Sequence, residues 1–167
     1  MSIGARACIA VVAWLLAAAS HAQVDTLRIP LRHLGIEDGL SQGMVGSILQ
    51  DRTGFMWFAT KDGLNRYDGY SFKVFRHDPQ DSTSMRDDHI LKVFEDSRGL
   101  LWIGTNSGLD VFDPATEVFH HLPRMEGISQ DGGDLVCDVR SIAEDPSGNI
   151  WFNTSFNLYR VRPGTTA

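Results

Sequence analysis

Past residue 25 the apolar residues fall in short runs punctuated by glycine, aspartate and serine, and helical spacing is scarce. The runs are rich in Val, Ile, Phe, Trp and Tyr, the residues that fit a pleated surface. They predict extended segments over Val45 to Gln50, Phe55 to Thr60, Leu64 to Asp68 and Phe72 to Arg76. Within Phe55-Met56-Trp57-Phe58-Ala59 apolar side chains occupy both alternating faces. A strand with one wet face would alternate with polar residues, so these strands belong to a sheet covered on both sides.

The same pattern then recurs. Asp51-Arg-Thr-Gly54-Phe-Met-Trp57-Phe-Ala-Thr60-Lys-Asp-Gly63-Leu64 aligns without a gap to a segment from Asp96 through Gly99, Trp102, Thr105 and Gly108 to Leu109. A third copy runs from Asp145 through Gly148, Trp151, Thr154 and Asn157 to Leu158. Val45, Ile90 and Val139 lie six residues ahead of each Asp, and Ile48, Val93 and Ile142 lie three ahead. Downstream, Tyr67-Asp68, Phe112-Asp113 and Val161-Arg162 share one register. From Trp57 to Trp102 is 45 residues and from Trp102 to Trp151 is 49.

Each shared position has a physical reason. Asp followed three residues later by Gly makes a tight turn, the carboxylate accepting bonds from nearby backbone donors while Gly takes positive φ. Gly63, Gly108 and Asn157 mark a second turn, Asn being the best replacement for Gly in the left-handed region. The tryptophans read as packing between neighbouring units, because a core position recurs in every copy of a repeat array.

Four-stranded units of about 40–50 residues are the sequence sign of a β-propeller, and a single such unit cannot bury both its faces. The fold class is therefore all-β: a partial β-propeller of about three four-stranded antiparallel blades. Its expected organisation is an N-terminal outer strand within 23–40, blade 1 at 41–86, blade 2 at 87–134 and an incomplete blade 3 at 135–167. Leu31-Arg32-His33 aligns with Phe75-Arg76-His77 and Phe119-His120-His121, the outer strands of the two complete units. Three units fall short of the roughly four to eight that close a ring, so this chain alone leaves the ring open. Two uncovered blade faces predict marginal stability and self-association.

Composition adds direction. With 43% hydrophobic and 22% charged residues the chain is globular in character. Its net charge of -6, with no basic stripe, argues against nucleic acid as a partner. Residues 1–22 have the three parts of a secretory signal peptide: Arg6, an apolar run from Ala7 to Ala19, and Ser20-His21-Ala22 as the exit, with cleavage expected after Ala22. The apolar run is shorter than the roughly 20 residues that span a bilayer as a helix. Cys8 lies at the start of the apolar run and not after it, unlike a lipid-modified cysteine, and Cys137 is left alone in the mature chain, so no intramolecular disulfide is expected.

No catalytic constellation, metal site or cofactor motif emerges. The histidines at 21, 33, 77, 89, 120 and 121 include no H-E-x-x-H arrangement. The acidic stretch from Asp78 to Asp88 lacks EF-hand spacing and reads as a solvated connection between units, as does Gln130 to Asp134. In a propeller the first strand of each blade lines the channel, and two sets of connections share one of its mouths. That mouth would carry Lys61, Asp62, Asp87, Asp88, His89, Asn106, Ser107, Asp138 and Arg140, a mixture of donors and acceptors suited to a polar small molecule or oligosaccharide.

Glu37-Asp-Gly-Leu-Ser41, Ile48-Leu-Gln-Asp51, Gly54-Phe-Met-Trp57 and Gly63-Leu-Asn-Arg-Tyr-Asp-Gly-Tyr-Ser-Phe72 resemble the opening of the two-component regulator propeller repeats, and the likeness extends over about residues 31–163. This family occupies the periplasmic sensor regions of bacterial hybrid histidine kinases and of some diguanylate cyclases. The resemblance implies a signal peptide, many blades, a small β-sandwich, one membrane span and a cytoplasmic signalling module. It thus implies a non-catalytic, periplasmic sensory segment of a parent anchored in the inner membrane, any kinase or cyclase activity lying outside these residues. Two other readings remain open at this point: a piece of an exported propeller lyase or hydrolase, and a truncated structural interaction module. The expected partners include the remaining blades of a parent chain or another copy of this one.

Overall fold

The computed structural model describes residues 29–122 and 138–162 of the 167-residue chain. Three antiparallel sheets follow one another. The first is β1 (Val45–Gln50), β2 (Met56–Thr60), β3 (Gly63–Tyr67) and β4 (Phe72–Phe75), in that spatial order. The second repeats it with β5 (Ile90–Glu95), β6 (Leu101–Thr105), β7 (Gly108–Asp113) and β8 (Val118–His121). The third holds β9 (Ser141–Glu144), β10 (Ile150–Asn153) and β11 (Leu158–Val161). Each is a meander of sequence neighbours, since connections this short permit only antiparallel return. Among the described residues the sheets close into no ring. The expected signal peptide, Cys137 and the loop from Gln130 to Asp134 lie outside the described residues.

The repeated turn is built as its composition demands, with one addition. Asp51 Oδ1 accepts the backbone N–H of Thr53 at 2.9 Å and of Phe55 at 3.0 Å, while Gly54 adopts a φ of 98°. Asp96 and Asp145 do the same for Arg98 and Leu100, and for Ser147 and Asn149. The second carboxylate oxygen accepts the indole N–H of the tryptophan six residues on, at 2.7 Å for Asp51–Trp57 and 2.9 Å for both Asp96–Trp102 and Asp145–Trp151. The turn is thereby tied to the core residue it precedes, and the buried indole donor is satisfied.

The second turn also keeps its glycines, with φ of 111° at Gly63 and 140° at Gly108. Asn157 does not follow them. The positive-φ non-glycine residue among the described residues is Glu117, so the left-handed conformation expected of Asn157 is not adopted. Instead Thr154 Oγ1 accepts the N–H of Asn157 at 3.1 Å, and the Thr154 N–H donates to the Asn157 carbonyl at 2.9 Å. These two bonds close the turn without the strain a side chain would meet at positive φ.

The sheets stack with their first strands inward, β5 against β1 and β2, and β9 against β5 and β6. Trp57, Ala59 and Leu64 of the first sheet meet Ile90, Val93, Ile103 and Phe112 of the second in one buried cluster. Trp102, Leu109 and Val111 meet Val139, Ile142, Ile150 and Phe152 in another. Close stacking needs small residues at the joint. A Cβ on Gly104 would lie 2.7 Å from the Val139 carbonyl oxygen, inside contact distance.

Each joint is also clasped at its rim. The Arg52 backbone N–H and Nε donate to the Glu95 carboxylate at 3.0 and 2.6 Å, and the Ser97 N–H and Oγ donate to Glu144 at 2.7 and 2.6 Å.

One expectation is modified. Trp151 was expected to be buried like Trp57 and Trp102, which are 0% and 1% exposed, yet it is only half-buried. Its outward face has no following sheet among the described residues. Residues 29–33 carry no strand, and the last blade that Leu31 to His33 would complete in a closed ring is not among the described residues.

Candidate functional site

The first strands enter their sheets through a repeated irregularity. Val45 pairs with Thr60 and Ser47 with Ala59, leaving Gly46 as an extra residue; Ile90 pairs with Thr105 and Lys92 with Gly104, leaving Leu91 extra. Such bulges bend a strand and re-aim its side chains. At this inner end a cavity of about 380 Å³ opens across the three sheets. Met44, Gly46, Thr60 and Lys61 line it from the first sheet, His89, Ile90 and Leu91 from the second, and Arg140 from the approach to β9.

Of the nine residues expected at this mouth, Lys61, His89 and Arg140 line the cavity. The other six sit around it with partners of their own. Asp62 pairs with Arg76 at 2.9 Å, and Asp87 accepts the Ser107 hydroxyl at 2.5 Å. Asp88 accepts the His77 backbone N–H at 2.6 Å, while its carbonyl takes the Gly63 N–H at 2.9 Å. The Asn106 N–H donates to the His89 carbonyl at 3.0 Å. Asp138 accepts from Arg140 Nε at 2.7 Å and from the Ser155 hydroxyl at 2.8 Å. Burial by itself would raise the Asp138 pKa, but the bonds from Ser155 and Arg140 outweigh it and hold the group below the usual carboxylate range.

Met44, Gly46, Thr60, Ile90 and Leu91 escaped the sequence reading, because apolar and small residues at a strand entrance look like packing. One further constellation was missed. Asp110, fully buried on β7, accepts the Arg86 backbone N–H at 2.9 Å and contacts His121 Nδ1 at 2.8 Å. Asn65 takes the same place in the first sheet, its Oδ1 accepting the Ser41 N–H at 2.8 Å. The signal was present in the repeat, since Ser41 and Arg86 both lie ten residues ahead of the turn aspartate.

The acidic loop carries ordinary turn chemistry. Asp78 accepts the Gln80 N–H and Asp81 the Thr83 N–H, both at 2.9 Å. Among the described residues no three His, Cys, Asp or Glu side chains converge as a metal-binding group.

Comparison with known proteins places these features in context. The family model described as two component regulator propeller matches residues 39–62, 84–107 and 135–156, one match to each sheet. A 48-residue stretch is 54% identical to histidine kinase P4 of Formosa agariphila, covering 29% of this chain and 4% of that protein. Two solved structures of the extracellular domain of BT4673 from B. thetaiotaomicron, described in one case as a one component and in the other as a hybrid two component system, share the fold. Each superposes with a TM-score of 0.62 at 24% identity over 80% of this chain. The chain spans 19% of the length of those structures.

Proposed function

Because its three repeats belong to the two component regulator propeller family, we propose that the chain is a non-catalytic, ligand-binding segment of the extracytoplasmic region of a bacterial signal-transduction receptor. The output module is a sensor kinase or a diguanylate cyclase. Residues 1–22 direct export and are removed after Ala22. Further blades of the parent, or a second copy, cover the outer face of the third sheet.

One observation carries the ligand-binding part of this reading. The cavity lies where three repeats meet, and beside the shared positions Thr60 and Ile90 it is lined by residues at positions in which the repeats differ. Val45, Ile90 and Val139 stay apolar in every copy, as stacking requires, whereas their neighbours are Met44 and Gly46, then His89 and Leu91, then Asp138 and Arg140. A shared packing requirement would have kept these alike. Binding is the demand that one end of the assembly makes and the repeat does not.

The test is to follow the amide signals of the isotope-labelled chain during addition of a panel of small polar saccharides and sugar acids. Saturable shifts clustered at Lys61, His89 and Leu91, with the added compound recovered unchanged, are the expected result. Turnover of a compound, or shifts dispersed over the outer strands, would remove this reading. Mass determination of the exported product, with Gln23 as its first residue, checks the leader.

A further inference from the structure

The cavity concentrates one sign of charge on a chain that carries the other. The net charge is -6, yet the ionisable side chains that line the cavity are Lys61, His89 and Arg140. The acids beside it lie outside the lining and accept from partners of their own. Asp62 is held by Arg76, Asp87 by Ser107 and Asp88 by a backbone N–H, all outside the lining, and Asp138 divides itself between Arg140 and Ser155. Among the described residues neither the Lys61 ammonium nor the His89 ring has a hydrogen-bond or ion-pair partner. Two donors are therefore held at the cavity with nothing among the described residues to receive them, and a third is shared. Met44, 60% exposed, and Leu91 add apolar wall on the same cavity.

We infer that the cavity takes a small carboxylate-bearing ligand of sugar-acid size, its carboxylate meeting the cationic side chains and its carbon skeleton lying against Met44 and Leu91. This rests on the ligand-binding reading above and adds the ligand's charge. Arg140 offers the planar fork that suits a carboxylate, and Lys61 supplies a mobile ammonium. A volume of about 380 Å³ admits one or two sugar rings and falls at the small end of ligand pockets.

The experiment compares D-glucuronate with D-glucose, which share a ring and differ in the carboxylate. Each is titrated at matched ionic strength into the labelled full chain, with the amides of Lys61, His89 and Leu91 as the readout. Glucuronate is expected to bind at least roughly tenfold more tightly than glucose, the difference made by a charge-assisted hydrogen bond. Lys61→Gln and Arg140→Gln should each weaken glucuronate about fivefold or more and weaken glucose by less, while Arg140→Lys, which keeps the charge and loses the fork, should fall between wild type and Arg140→Gln. Unchanged indole signals of Trp57 and Trp102 report that each variant is folded. Equal affinity for the two sugars, or glucuronate binding indifferent to both Gln variants, overturns the charge assignment while the ligand-binding reading stands. Failure of both sugars to move the cavity amides overturns this inference. If other compounds of the panel move them, the broader reading survives; if none does, it falls as well.

Discussion

The second and third sheets carry the same motif and live in different surroundings. Trp102 and Leu109 of the second sheet are each 1% exposed, under the residues of the third. Their counterparts are the half-buried Trp151 and Leu158, 67% exposed, with Phe156 beside them at 84%. The turns and the aspartate–indole bonds are nonetheless alike in both. Local geometry is thus a property of the repeat, and burial is a property of the neighbour. The third sheet also departs in the features that make a joint. Where Arg52 and Ser97 donate a backbone N–H to the clasp it has Pro146, which has none, and where Ala59 and Gly104 allow close approach it has Asn153. The Asn153 Oδ1 is buried without a partner.

The sharpest test of this contrast is to truncate each tryptophan in turn. Trp102→Ala should cost about 3–5 kcal/mol, combining lost burial with the cavity left behind. Trp151→Ala should cost only about 1–2 kcal/mol, because part of its surface already meets water. Denaturant melts of the two variants decide it, and equal losses would mean that the third sheet is covered by something else in solution.

Next comes the fit of the joint itself. Gly104→Ala puts a methyl against the Val139 carbonyl and should destabilise by about 1–3 kcal/mol. Asn153→Ala, at the equivalent position, should be near neutral or stabilising, within about 0.5 kcal/mol, since it removes an unpaired buried oxygen. Thermal melts that order these two the other way would break the comparison.

The clasps should matter less. Glu95→Gln weakens the bonds from Arg52, whose side chain is 49% exposed, and should cost about 0.5–1 kcal/mol, an effect that fades in high salt. Glu144→Gln should fall in the same range. A double-mutant cycle of Glu95 with Arg52 measures the coupling directly.

The smallest expected effect is acid sensitivity at the open sheet. The Trp151 indole, Asn149 and the turn amides pull the Asp145 pKa down from 3.8 to about 2. A carboxylate whose folded pKa is depressed adds stability that is full above its unfolded pKa and fades as pH falls through the folded one. Asp145→Asn should therefore flatten the stability profile between pH 3.8 and 2. Asp51 and Asp96 behave likewise: burial alone would raise them, but hydrogen bonds from Thr53 and Trp57, and from Trp102 and Arg98, prevail. A variant with an unaltered acid limb would show the indole bond to be absent in solution.

Periodicity and turn chemistry determined from sequence alone that the chain makes repeated antiparallel sheets and where the strands lie. These follow from short-range rules, since spacing along a strand sets its faces and Gly sets its turns. Lys61, His89 and Arg140 were named by the same rules, and they line the cavity between the sheets. What only the tertiary structure decided depends on residues far apart in sequence. The bulges at Gly46 and Leu91, which bring apolar walls to the cavity, follow from how β1 and β5 meet their partners, and no local pattern marks them. The second oxygen of each turn aspartate could have gone to water or to backbone, and it goes to an indole because stacking has already placed that indole beside it. The unequal fates of Trp102 and Trp151 lie beyond any single motif, because burial is conferred by the neighbouring sheet and not by the residue that is buried.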